Sequence, residues 1–95
     1  MFSLDQGFGT HPDVVAQLLP DEAVLLLPAR GEVKVLNHVG ARIWALLDGS
    51  RSLDTIAGLI HAEYDVDQTR AERDVRAFVV DLIQREMVRP IDKAA

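Results

Sequence analysis

The sequence contains no cysteine. That removes disulfides, thiolate zinc sites, iron–sulfur clusters and thiol nucleophiles together, and it fits the cytoplasm, where disulfides are rare. Long apolar runs are missing as well. The longest, Ala23–Ala29 counting Pro28, falls far short of the ~20 residues that span a bilayer. Met1-Phe2-Ser3-Leu4-Asp5-Gln6 has neither a cationic start nor an apolar h-region, so no signal peptide is expected. Positive charge is scarce, with 10 Lys and Arg against 15 Asp and Glu and a formal net charge of −5. A domain that holds nucleic acid is usually basic, because its affinity comes from neutralising phosphates. Neither nucleic acid nor membrane is therefore an expected partner. At 95 residues there is no room for a second domain of ~100–200 residues. A chain this short buries only about 60–65% of its unfolded surface, and a buried active site would compete with the core for the same residues.

What is present divides into strands followed by helices. The first thirteen residues hold Gly7, Gly9 and Pro12 without periodicity and are expected to form a flexible tail (1–13). Val14–Leu19, Glu22–Leu27 and Glu32–Leu36 are short β-prone runs punctuated by Pro20-Asp21 and by Pro28-Ala29-Arg30-Gly31, the pattern of an antiparallel meander. In the third run Val33 and Val35 face one way, Glu32 and Lys34 the other. From Asn37 the period changes. Val39, Ile43, Leu46 and Leu47 recur at helical spacing behind an N-cap residue, and Asp48-Gly49 stops that helix. Ser52 caps a second helix with the stripe Leu53, Ile56, Ala57, Ile60 and Tyr64. A third helix is expected to start near Asp67 or at Thr69, where Thr69-x-x-Glu72 has capping-box spacing. Its stripe is Ala71, Val75, Phe78, Val79, Leu82 and Ile83, and Pro90 is expected to end it. Three strands followed by three helices predict a small α+β domain over residues 14–91, with a short tail at 92–95.

No catalytic set emerges. His11, His38 and His61 lack the i, i+4 spacing that lets one helix grip a metal. Ser3, Ser50 and Ser52 lack a nucleophile-elbow setting, and Asp65-Val66-Asp67 lacks the twelve-residue pattern of a calcium loop. Trp44, the one tryptophan, reads as core or rim packing ahead of a ligand platform. Arg70, Arg73 and Arg76 span roughly 120° of the third helix surface, and residues 68–89 are the one stretch that is not net acidic. In a meander the first and third strands are edges with unpaired N–H and C=O groups. The third is either blunted by Glu32 and Lys34 or left open for an added peptide strand.

The string Leu36-Asn37-His38-Val39-Gly40-Ala41-Arg42-Ile43-Trp44-Ala45-Leu46-Leu47-Asp48-Gly49 resembles the signature of the PqqD family, whose name comes from pyrroloquinoline quinone biosynthesis. The likeness continues through Asp54-x-Ile56, Tyr64-Asp65-Val66 and Asp74-Val75-x-x-Phe78-x-x-x-Leu82, and covers about residues 14–90. Arg85-Glu86-Met87-Val88 stands in place of a commoner Gly-Leu turn, so a longer third helix is expected. The resemblance implies a winged-helix-like domain, three strands then three helices. It also implies a recognition element without catalytic residues, cofactor or metal. Such an element binds the leader of a ribosomally made precursor peptide and presents it to a modifying enzyme, often of the radical S-adenosylmethionine type. Carried over, it places the leader along Glu32, Val33, Lys34, Val35 and Leu36, facing Arg70, Arg73, Asp74, Ala77 and Phe78. The alternative reading is a winged-helix DNA-binding protein with the third helix as reader. The edge strands also leave a homodimer open.

Overall fold

The computed structural model describes residues 6–91. The meander forms where its turn residues put it: β2 (Val15–Leu18), β3 (Ala23–Leu27) and β4 (Glu32–Leu36) lie antiparallel in the order β2-β3-β4. A single turn of 3-10 helix at Pro28–Arg30 joins the last two. Ala23, Leu25 and Leu27 of β3 are at most 2% exposed and form the inner face of the sheet. Their partners on β4 are Leu36, Lys34 and Glu32, and directly paired residues share a face. The faces of β4 therefore run against the usual pattern. Its charged residues point toward the body of the domain, while Val33 and Val35 point outward and are 56% and 60% exposed.

Each helix starts on the side-chain acceptor that its N-terminal N–H groups require. Asn37 accepts from the Gly40 N–H at 2.8 Å ahead of α1 (His38–Leu46). Ser52 accepts from the Thr55 N–H at 3.2 Å ahead of α2 (Leu53–Glu63). Asp67 accepts from the Arg70 N–H at 3.3 Å ahead of α3 (Gln68–Gln84). Asp67 is thus the cap, and Thr69 lies inside the helix. The predicted stripes are the buried ones: Ile43 and Leu46, Ile56 and Ile60, Val75 and Val79 meet under the inner face of the sheet.

Two expectations at the end of α3 are corrected. The helix is not lengthened, and Pro90 does not end it. It stops at Gln84, where Glu86 turns to φ 60°. The Glu86 N–H donates to the Ile83 carbonyl and the Met87 N–H to the Leu82 carbonyl, both at 2.9 Å, and Met87 is fully buried. This is the Schellman arrangement, in which the left-handed residue usually is Gly. A glutamate there carries ~1–2 kcal/mol of backbone strain.

The N-terminal expectation is corrected too. Gly7–Thr10 is not tail but strand β1, paired antiparallel with β5 (Val88–Ile91), which contains Pro90. Phe8 is 1% exposed, and burying such a ring supplies ~1.5–3 kcal/mol. The ribbon is fastened to the helices by the Gly49 N–H, which donates to the Phe8 carbonyl at 2.8 Å. Gly7, read as part of a flexible tail, serves this close approach, since a Cβ there would overlap the Gly49 carbonyl oxygen. The rest of the expected N-terminal tail at 1–5, and the C-terminal tail at 92–95, lie outside the described residues.

Candidate peptide-binding groove

On its outer side β4 has no strand partner among the described residues. Its inner face meets α3 as a sequence of matched pairs. Arg85 Nη1 donates to Glu32 Oε2 at 2.9 Å, and Arg85 Nε donates to Asp81 Oδ2 at 3.1 Å. Lys34 Nζ reaches the same Asp81 oxygen at 3.2 Å. The order along the strand is therefore Glu32, Arg85, Asp81, Lys34, a ladder of alternating charge that ties the edge strand to the helix. Partial burial pushes the Asp81 carboxyl up, but the hydrogen bonds from Arg85 and Lys34 outweigh it and hold the group below the usual carboxylate range. Arg85 is held above its ordinary value, first by its bond to Asp81 and then by Glu32. The ladder side chains are about a third exposed, so water still reaches them.

Beyond Lys34 the groove turns apolar. Leu36 is 2% exposed, and Phe78 packs against Gly40 at the start of α1. A Cβ on Gly40 would stand 3.2 Å from the Phe78 ring and 3.4 Å from the Leu36 Cβ. The glycine of the LN-x-x-G string is thus what lets the helix start approach Phe78. Next to this contact opens a hollow of about 430 Å³, lined by Asn37, Val39, Gly40, Ile43, Val66, Arg70, Asp74 and Phe78. At its rim Arg70 Nε meets Asp74 Oδ2 at 3.4 Å, both side chains more than half exposed. Such a pair contributes about 0–1 kcal/mol.

The residues singled out from the sequence fall into three groups. Glu32, Lys34, Leu36, Arg70, Asp74 and Phe78 come together along the groove. Val33 and Val35 belong to the same strand but to the opposite face of the sheet. Arg73 and Ala77 sit exposed on α3, and Arg76 lies about 120° round the helix from Arg70, away from the groove. Sequence reasoning missed Asp81 and Arg85. Their i, i+4 spacing was visible, but no local signal connects Arg85 to Glu32, 53 residues away. Val39, Ile43 and Val66 were read as core-stripe or turn residues, and here they line the hollow.

The remaining candidates have structural roles. His61 Nδ1 lies 2.6 Å from the Val66 carbonyl oxygen; a carbonyl only accepts, so that nitrogen carries the proton. His38 packs edge-on against Tyr64, with ring centroids 5.6 Å apart. His11 Nδ1 accepts from the Asp13 N–H at 3.0 Å. Trp44 packs partly buried against the core. Among the described residues no group of three or more metal-ligating side chains is placed to hold an ion, and no helix is long and apolar enough to cross a membrane.

With the groove defined, comparison with known proteins is informative. The profile of the family described as coenzyme PQQ synthesis protein D (PqqD) matches residues 22–88. A PqqA binding protein of Rhizobium meliloti (strain 1021) is 33% identical over 85 residues, 90% of this chain and 81% of the relative. The chain is also similar to two solved structures. One is lasso peptide synthetase B1 complexed with the leader peptide, with a TM-score of 0.77 and 32% identity over 87% of this chain and 98% of that one. The other is TbiB1 in complex with the TbiA(beta) leader peptide, with a TM-score of 0.74 and 36% identity over 92% and 98%. Both structures were solved with leader peptides, and the DNA-reading alternative finds no support among these relatives.

Proposed function

The chain belongs to the PqqD family, and from that premise we propose that it binds the leader of a ribosomally made precursor peptide by strand addition to β4 and presents it to a modifying enzyme. One observation carries the reading: the open edge of β4 lies along a groove walled by α3, in a chain similar to proteins solved with leader peptides. Main-chain groups of Glu32–Leu36 supply the affinity, and side chains of the groove supply register and specificity. Arg70, Asp74 and Phe78 form the facing wall, with Ala77 exposed beside it. Arg73, on the exposed ridge above, adds attraction for acidic leader residues.

No step of this function needs a proton transfer or a cofactor from this chain. The chemistry belongs to the partner, for which an enzyme of the radical S-adenosylmethionine type is the proposed class. Tethering the leader raises the effective concentration of the attached core peptide at that enzyme, so a modest affinity suffices. The working compartment is the cytoplasm, where precursor and enzyme are made. The recognition domain is residues 14–91, and β1 adds to it by pairing with β5. The edge strand β2 is the route by which two copies would pair into a homodimer. The direct test is titration with the leader of a short precursor reading frame sought beside this chain's gene. Saturable binding below tens of micromolar supports the reading, and no binding in that range contradicts it.

A further inference from the structure

The groove changes character over two residues of β4. Leu36 is buried close to Gly40 and Phe78, which line the hollow, whereas Lys34, about 6.6 Å away along the strand, faces the charge ladder. The ladder is internally paired but not saturated. Lys34 and Arg85 both use Oδ2 of Asp81, which leaves Oδ1 without a partner among the described residues. Arg85 uses Oε2 of Glu32, which leaves Oε1 in the same position. Lys34 spends one of its three N–H donors. These atoms keep their hydration through the open side of the groove, the side that an added strand would cover at ~4.8 Å from β4.

Resting on the strand-addition reading, we propose that the Glu32–Arg85–Asp81–Lys34 ladder selects the leader. The groove accepts a peptide with an apolar side chain in the hollow beside Leu36 and a polar one two residues along, over Lys34 and Asp81. Period-2 alternation makes the spacing obligatory, because residues on one face of a strand recur every second position. A polar side chain over the ladder replaces the water that its own backbone displaces. An apolar one strips water from Asp81 Oδ1 and the Lys34 ammonium and returns no hydrogen bond. Burying polar groups unpaired in this way weakens binding by about five- to a hundredfold. Asp81 and Arg85 thus determine specificity, although neither belongs to the strand that pairs with the peptide.

The test is a paired scan of the leader encoded beside this chain, each position replaced in turn by Leu and by Gln. Binding is measured to the wild-type protein and to the double variant Lys34→Met/Asp81→Leu, which removes one charge of each sign and leaves the Arg85–Glu32 pair standing. The wild type is expected to lose about tenfold or more with Gln at one anchor position. It should lose a similar factor with Leu at the position two residues away. In the double variant the second preference reverses and the first stays. Tolerance of Leu at every position, or a preference unchanged in the double variant, overturns the proposal. Should the double variant fail to fold, the wild-type scan decides alone through the two-residue spacing. Absence of binding by the unaltered leader contradicts strand addition itself, and the ladder's role falls with it.

Discussion

The edges of two strands, β5 and β4, are treated in opposite ways. After α3 the chain turns through Glu86 and lays β5 against β1, so that edge is paired within the molecule and sealed by Phe8, Met87 and Val88, each at most 2% exposed. Among the described residues β4 has no strand on its outer side, and it is bounded by charged side chains about a third exposed and by a hollow. The strand closed in cis is anchored by buried apolar side chains, while the edge held for a partner is bordered by partly exposed ionic groups. The charges on β4 also guard the edge in the free protein, because exposed charged edges resist pairing with the wrong strand. Glu32 and Lys34 therefore serve both readings offered from the sequence, protection of the edge and a place for a guest.

The sharpest way to separate the two regions is to damage each in turn. Phe8→Ala removes the ring that seals the ribbon and is expected to lower stability by about 3–5 kcal/mol. Below its unfolding transition the variant should still bind leader, which denaturant melts and titration on one sample would check. The reverse pattern is expected on β4. N–H groups of successive strand residues point alternately to either side, so one of Lys34→Pro and Val35→Pro removes a donor that a guest strand needs. That variant should bind leader at least tenfold more weakly with the helices intact by circular dichroism. Proline at Ala16 or Gln17 of β2 should leave leader binding unchanged. Equal loss from β2 and β4 would erase the distinction drawn between the edges.

Acidification gives a smaller, directional effect. Asp81 is held below the usual carboxylate value of ~3.9 by its bonds to Arg85 and Lys34. A depressed folded-state value means that the group stabilises the fold above the unfolded value and loses that contribution as pH falls through the folded one. The wild type should therefore lose more thermal stability than Asp81→Asn when pH is lowered from 5 to below 4. Phe8 belongs to the ribbon and not to the ladder, so Phe8→Ala should leave that difference intact. The smallest effect concerns the turn between the regions. Glu86→Gly relieves the left-handed strain and gives up the exposed Arg30–Glu86 pair, which is 3.0 Å long. A net gain of about 0.5–1 kcal/mol in a urea melt is expected.

What was legible in the sequence is what local chemistry decides. Gly31 and the alternation after it fix β4 from Glu32 to Leu36, and Asn37 and Ser52 cap the helices they were expected to cap. Alternation alone does not say which face is inside, and here the inner face of β4 carries the charges. Burial of Leu25, which pairs with Lys34, decides it. The ribbon left no trace because its two four-residue strands stand at opposite ends of the chain, with Gly7 and Gly9 read as tail and Pro90 as a helix end. Their pairing is a long-range event driven by Phe8. The ladder was hidden for the same reason, with Arg85 and Glu32 far apart in sequence and joined only in the folded molecule.

The central claim is that β4, and not another surface, takes the leader. Amide hydrogen exchange of this chain with and without the leader encoded beside it tests that directly. New protection is expected at the outward-facing amides within Glu32–Leu36, with β2 unchanged and β1–β5 already protected in both states. Protection that appears on β2, or on the helices with β4 unaltered, would contradict it.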